Sequence, residues 1–152
     1  MDKPYILPHY RNNMEHIYKT TENWIVPNPK KKKRSGNRCY TCNPSGEVLK
    51  HVIEKTENFS FHHDMWRRPM IIVTPNVHYH TITDIPIELQ KELWETIKNF
   101  LNKLEIHDYQ CLFNNGDWQT HHHFHVKLRF DEKKLYDMRK KHFHQLKTKR
   151  VL

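Results

Sequence analysis

The spacing of hydrophobic positions changes along this chain, and each change marks a different element. Val48 to Glu54 and Phe59 to His62 read as two short strands, and the polar Lys55-Thr56-Glu57-Asn58 between them suits a hairpin connection. Met70-Ile71-Ile72-Val73-Thr74 is a continuous apolar run stopped by Pro75, as in a well-buried strand. The period then lengthens: Leu89, Leu93, Ile97, Phe100, Leu101 and Leu104 recur at spacings of three and four, which predicts one amphipathic helix over residues 86–104. Asp84 is its candidate cap, with Pro86 or a neighbour in the first turn. Tyr109 to Phe113 reads as a fourth strand, Asn114-Asn115-Gly116-Asp117 as a turn, and His121 to Phe130 as a fifth strand. The order β, β, β, α, β, β predicts an α+β domain, an antiparallel five-stranded sheet with a packed helix. A second helix over residues 131–145 has only Leu135, Met138, Phe143 and Leu146 to bury.

A chain of 152 residues suits one domain. The pattern places it at 39–131, with a basic extension at 1–38 and a basic, partly helical tail at 132–152. The net charge of +9 lies in those flanks. Residues 30–38 hold six basic groups and no acidic one, and residues 133–152 hold eight basic groups against Asp137. The stretch between, 39–132, has nine basic and thirteen acidic residues. Two cationic flanks around a mildly acidic centre fit docking onto a polyanion, nucleic acid first among them; solvated tails that aid solubility are the plain alternative. Lys30 to Arg34 also has the composition of a nuclear-import patch. No stretch approaches the ~18–20 apolar residues of a membrane span, so the expected setting is intracellular, cytoplasmic or nuclear, with no membrane partner.

Cys39-Tyr40-Thr41-Cys42 is too sparse for a disulfide framework, and in a reducing compartment its spacing suggests metal. A redox pair is the competing reading, but no strand-to-helix context surrounds it. Cys111, alone in an apolar run, reads as a small buried residue. The densest chemistry is Gln119-Thr120-His121-His122-His123-Phe124-His125. On a strand, His121, His123 and His125 share one face, each about 6–7 Å from the next. Three imidazoles in a row can bind metal, relay protons or attack phosphorus, whereas a fortuitous polar face does none of these.

His121-His122-His123-Phe124-His125-Val126-Lys127 resembles the motif of the histidine-triad (HIT) superfamily, nucleotide hydrolases and transferases with three histidines alternating with mostly apolar residues. Cys39 and Cys42 followed by Gly46-Glu47 resemble the amino-terminal knuckle of the zinc-containing branch. Met70 to Pro75, then Asn76-Val77-His78 and Ile82-Thr83-Asp84, resemble its strand, proline, histidine and helix-start segment. The resemblance spans residues 39–130.

It implies that His123, the middle histidine, attacks the α-phosphorus of a nucleotide and forms a nucleotidyl-imidazole intermediate that water or another acceptor discharges. His125 would bind phosphate or the bridging atom and assist the leaving group. It implies structural zinc on Cys39, Cys42, His78 and His121, with His80 the alternative to His78. For the nucleotide it implies Asn115 or Asn114, Gln119 and Thr120 around the phosphates, and His63 or Asp64 at the ribose. Trp118 is a stacking candidate; Trp66 and Trp94 read as core or stacking. Members often dimerise, so a homodimer is compatible with the resemblance.

Two features depart from the family pattern: the loop before the triad is short with one glycine, and the usually apolar second triad position is His122. The leaving group is an amine, a second nucleotide through a polyphosphate, or a nucleic-acid 5′ end, to which the basic flanks point. A zinc-stabilised module that binds nucleotide or nucleic acid without turnover is the alternative. A catalytic metal on three consecutive same-face histidines is a third, since disfavoured by their splay.

Overall fold

Val52–Lys55 and Phe59–His63 form the first hairpin, β1 and β2, because Thr56 closes the polar connection from both sides: its N–H donates to the Phe59 carbonyl (2.8 Å), and its hydroxyl accepts the Phe59 N–H (3.0 Å). A computed structural model describes residues 39–150 of the chain. The Lys30 to Arg34 run and the rest of the basic extension lie outside the described residues.

A short helix α1, Gly46–Lys50, precedes the hairpin; β3, Ile71–Pro75, follows it. After a 3-10 turn at Ile82–Asp84 come α2, Ile87–Lys103, and β4, Gln110–Leu112. A second 3-10 turn, Gly116–Trp118, leads to β5, Val126–Arg129, and α3, Glu132–Arg150. The five strands make one antiparallel sheet in the order β1-β2-β3-β5-β4, an α+β architecture. None of the helices among the described residues is long and apolar enough to cross a membrane.

Three local expectations are corrected. Residues 48–50, read as strand, are helical, because the Ser45 hydroxyl caps α1 by accepting the Val48 N–H (3.4 Å). The fifth strand begins at Val126 rather than His121. Val73 pairs with Val126, so the same register continued would set Phe124 opposite Pro75, which has no N–H for the ladder. The Phe124 N–H instead donates to the Tyr79 carbonyl (2.7 Å), and His121 to His123 are bends. The expected cap is also placed differently: Pro86 directly precedes α2, and the Asp84 carboxylate accepts from the Thr81 N–H and hydroxyl (3.1 and 3.0 Å).

Register assigns the two faces of the sheet. Phe61, Val73 and Val126 align across β2, β3 and β5 on the core face, as do His63, Ile71 and Leu128. Leu93, Ile97, Phe100 and Leu101 of α2 and Leu135 of α3 complete that core, with Phe61 stacked on Phe100 at 4.4 Å. Cys111 is partly buried against it. The other face carries His62, Ile72 and Lys127 in one row, a polar assignment in the middle of the sheet.

The basic tail is less free than its composition implied. Leu135 is buried and Met138 packs on the core. Side chains then tie α3 to backbone carbonyls along its length: Lys134 to Leu104 (2.7 Å), Arg139 to Asp64 (2.7 Å) and His142 to Lys50 (2.6 Å). His63 lies under this helix, its ring 5.3 Å from that of His142. Burial, followed by the nearby His142 and Arg139, lowers its pKa to about 3.

Two outcomes follow from this packing. Leu135→Ala removes a buried side chain that joins α3 to the sheet, so urea unfolding should show a loss of about 2–5 kcal/mol; an unchanged midpoint would mean that α3 is not docked. His63 refuses a proton that the unfolded chain accepts near 6.5, so its contribution is complete above about pH 6.5 and declines as pH falls toward 3. In a stability series over that window, His63→Leu should show a shallower acid loss than the parent chain, and parallel curves would assign the acid sensitivity elsewhere.

Candidate metal centre and cationic pocket

The turn at Cys39 to Cys42 is closed by the Asn43 N–H donating to the Cys39 carbonyl (2.9 Å), which points both thiols to one side. There they meet His78, three residues past β3, and His123: the four donor atoms lie within 4.8 Å of one another. The fourth donor is therefore His123, which corrects the expected His121. With the strand starting late, His121 sits on the bend, its Nε2 3.7 Å from the Cys39 sulfur but 2.9 Å from the Thr41 hydroxyl, its ring stacked on Tyr40 at 4.0 Å. His80, the alternative ligand, packs edge-on against His78 and is outside the group.

The four residues fit a metal ion. Zinc with bonds of about 2.3 Å to sulfur and about 2.0 Å to nitrogen asks for donor edges of roughly 3.3–3.8 Å. Cys39 and Cys42 lie 3.5 and 3.4 Å from His123 Nδ1, and His78 Nδ1 is 3.2 Å from Cys42 and 3.1 Å from His123 Nδ1. The outer contact agrees: His123 Nε2 is 2.7 Å from the Pro75 carbonyl, which can only accept, so the proton is on Nε2 and the Nδ1 lone pair faces the thiols. Burial, and then the adjacent Cys39, push the Cys42 thiol up to about 11, a cost that a bound cation offsets. Burial chiefly lowers His123 to about 4.

Beside this centre, on the polar face of the sheet, is a pocket. His62, Ile72, Thr74 and Lys127 form its floor, His121, His125 and Thr120 one wall, and Asp64, Trp66 and Arg68 the other. His125 Nδ1 is 3.0 Å from the His123 carbonyl and so carries the proton, leaving a lone pair on Nε2. His62 is held likewise by the His63 carbonyl (3.0 Å). Burial, and then Lys127, His62 and Arg68, hold His125 below its ordinary pKa, and burial with Arg68 and Arg129 does the same to Lys127. The groups gathered here repel one another's positive charge, and an anion relieves that repulsion.

Asp64 organises the second wall. Its buried carboxylate accepts the Trp66 and Arg68 N–H groups (3.0 and 2.9 Å) and the Nε and Nη2 hydrogens of the Arg68 guanidinium (3.1 and 2.8 Å). Burial raises its pKa, but the Arg68 hydrogen bonds outweigh that and leave the carboxyl below its usual range.

The remaining expected site residues are dispersed. His63 is on the core face, away from the pocket. Asn115 accepts the Ile82 N–H through its side chain (3.2 Å). Gln119 is fully buried, donating to the His80 carbonyl (2.6 Å) and accepting from Gly116 N–H (2.9 Å), so both amide ends brace the loop. Trp118 is 45% exposed and does not line the pocket. Sequence reasoning missed His62, Arg68 and Lys127. The alternation of Phe59, Phe61 and His63 on one face carried the signal for His62, and the same argument applied beyond His125 finds Lys127.

No protein-family model and no curated protein matches the sequence. Solved structures do. A HIT family protein from Bacillus anthracis superposes with a TM-score of 0.55 at 23% identity, covering 64% of this chain and 77% of its own. A HIT family hydrolase from Legionella pneumophila gives 0.53 at 23%, over 61% and 92%. A hypothetical protein from Leishmania major gives 0.54 at 14%, over 75% and 99%. The sheet and the packed helix thus have the fold of the histidine-triad proteins.

Proposed function

We propose that this protein is a nucleotide hydrolase or nucleotidyl transferase that releases a nucleoside monophosphate, with His125 as its nucleophile. The observation that carries the reading is the orientation of two neighbouring rings. Both nitrogens of His123 are engaged, Nδ1 among the metal donors and Nε2 with the Pro75 carbonyl, so the ring expected to attack has no lone pair to offer. His125 keeps Nε2 unprotonated and lines a pocket of cations. In the histidine-triad pattern the ring that completes the zinc site is the first of the three. The triad here then reads His123, His125 and Lys127, with a lysine in the third place.

In this reading His125 Nε2 attacks the α-phosphorus, the phosphorus–nitrogen bond forms, and the bond to the leaving group breaks with its electron pair. His121, whose ring centroid is 6.1 Å from that of His125, supplies the proton the leaving group needs. Lys127 and Arg68 neutralise charge on the phosphoryl oxygens, and water then cleaves the nucleotidyl-imidazole. Asp64 positions Arg68, Thr120 faces the phosphates, and the exposed Trp66 offers a surface for the base. Zinc held by Cys39, Cys42, His78 and His123 would supply structure, joining the amino-terminal knuckle to the catalytic segment.

Two measurements check this reading. The first compares release of nucleoside monophosphate from adenosine phosphoramidate, a dinucleoside polyphosphate and a 5′-adenylated oligonucleotide. His125→Ala should lower turnover on the order of 10³-fold or more, and Lys127→Met about 10²–10³-fold; full activity in His125→Ala would remove it from the reaction. Binding of the panel with no turnover by the wild-type chain would favour the non-catalytic module. The second measures zinc per chain by elemental analysis. Cys42→Ser and His123→Ala should each lose the metal and melt at lower temperature, while His121→Ala keeps it; zinc retained without His123 would overturn the ligand set.

A further inference from the structure

A second recess lies beyond the Asp64 loop, between α1 and α3, with a volume of about 640 Å³. Arg67, Arg139 and Lys140 line it together with the rings of Tyr136 and Phe143. The ion pairs among the described residues leave these three cations out, and the acid in the recess, Glu47, is bonded to Lys50 at 3.1 Å. Arg139 sits 5.1 Å above the Phe143 ring, and burial followed by the adjacent Arg67 holds its guanidinium below its ordinary range. Arg67 also has a φ of 62°, a left-handed conformation unusual for a side chain of its size. A left-handed arginine thus stands next to a second arginine in the wall of the recess.

The recess adjoins the pocket described above. Met65 lines both, and Trp66, 78% exposed, stands on the loop that separates them. Cations along a groove with aromatic faces in reach are what a nucleic-acid single strand requires: charge for its phosphates and rings for its unpaired bases. A lone phosphate would leave most of this volume empty.

We propose that the recess between α1 and α3 is a binding groove for single-stranded nucleic acid, whose nucleotide-bearing end reaches the His125 pocket over Met65 and Trp66. The connection to the pocket rests on the nucleotide reading above; the groove rests on its own residues. The substrate class is then a polynucleotide end rather than a free dinucleotide.

The test uses the full chain, a 3′-fluorescein single-stranded DNA dodecamer followed by anisotropy, and hydrolysis of adenosine phosphoramidate as the readout of the pocket. The variant is Arg67→Gly with Lys140→Ser, which removes two charges and places glycine where φ is positive. Its expected behaviour is unchanged melting and phosphoramidate turnover, with dodecamer affinity reduced about tenfold or more and the salt slope shallower by about 1.4. Dodecamer binding equal to wild type would overturn the groove. So would competition by inorganic polyphosphate or by a DNA duplex as effective as that of unlabelled dodecamer, because either would show an unspecific polyanion surface. Groove-dependent binding with no turnover by the wild-type chain would overturn the nucleotide reading and leave the groove standing.

Discussion

The hydrogen bond from His123 Nε2 to the Pro75 carbonyl is the contact on which the rest of the site depends. Pro75 ends β3 and has no N–H, so the ladder to β5 stops there and the carbonyl is free to take the ring. Taking it fixes the tautomer and turns Nδ1 toward Cys39 and Cys42. It also fixes the backbone at 123, whose own carbonyl takes the next ring, that of His125. Two successive imidazoles are thus set with opposite duties by two carbonyls: one presents Nδ1 to a metal donor set, the other Nε2 to a pocket. His125 depends for its orientation on a residue that also belongs to the metal centre, so structural integrity and chemistry share one short segment.

Much of this was legible in the chain. The long apolar spacing of α2, the run at Ile71 to Thr74 and the order of strands gave the class of fold, because burial on one face forces those patterns. That Cys39, Cys42 and His78 would come together was legible for a similar reason: few uses other than holding a metal put such side chains at such spacing. The register of the histidine run was not. Alternation is informative only where the segment is strand, and whether residues 121–125 are strand depends on the Phe124 N–H bonding to Tyr79, more than forty residues away in sequence. A long-range hydrogen bond of that kind leaves no local trace. Gln119 and Asn115 illustrate the same limit. Their side chains are suited to binding phosphate, yet they are spent on backbone groups, Asn115 on Ile82 and Gln119 on Gly116 and His80.

The short α3 pattern shows propensity yielding to tertiary contact. Its few apolar residues make a poor stripe, but a basic helix can dock through its polar side chains when carbonyls at helix ends and strand ends face it. Lys134, Arg139 and His142 each find such an acceptor. Positive charge that read as a solvated tail is partly structural.

Asp64 joins these themes, since its carboxylate holds Arg68 in the pocket while its carbonyl holds Arg139 in the recess. One buried residue therefore touches the cations of two neighbouring surfaces. An anion that drew Arg68 or Arg139 away from Asp64 would act on a residue common to both. Thermodynamic linkage makes such an effect mutual: whatever occupancy of the recess does to affinity in the pocket, occupancy of the pocket does in equal measure to the recess. The pocket and the recess are in this way tied to a single carboxylic acid residue, through its side chain on one side and its carbonyl on the other.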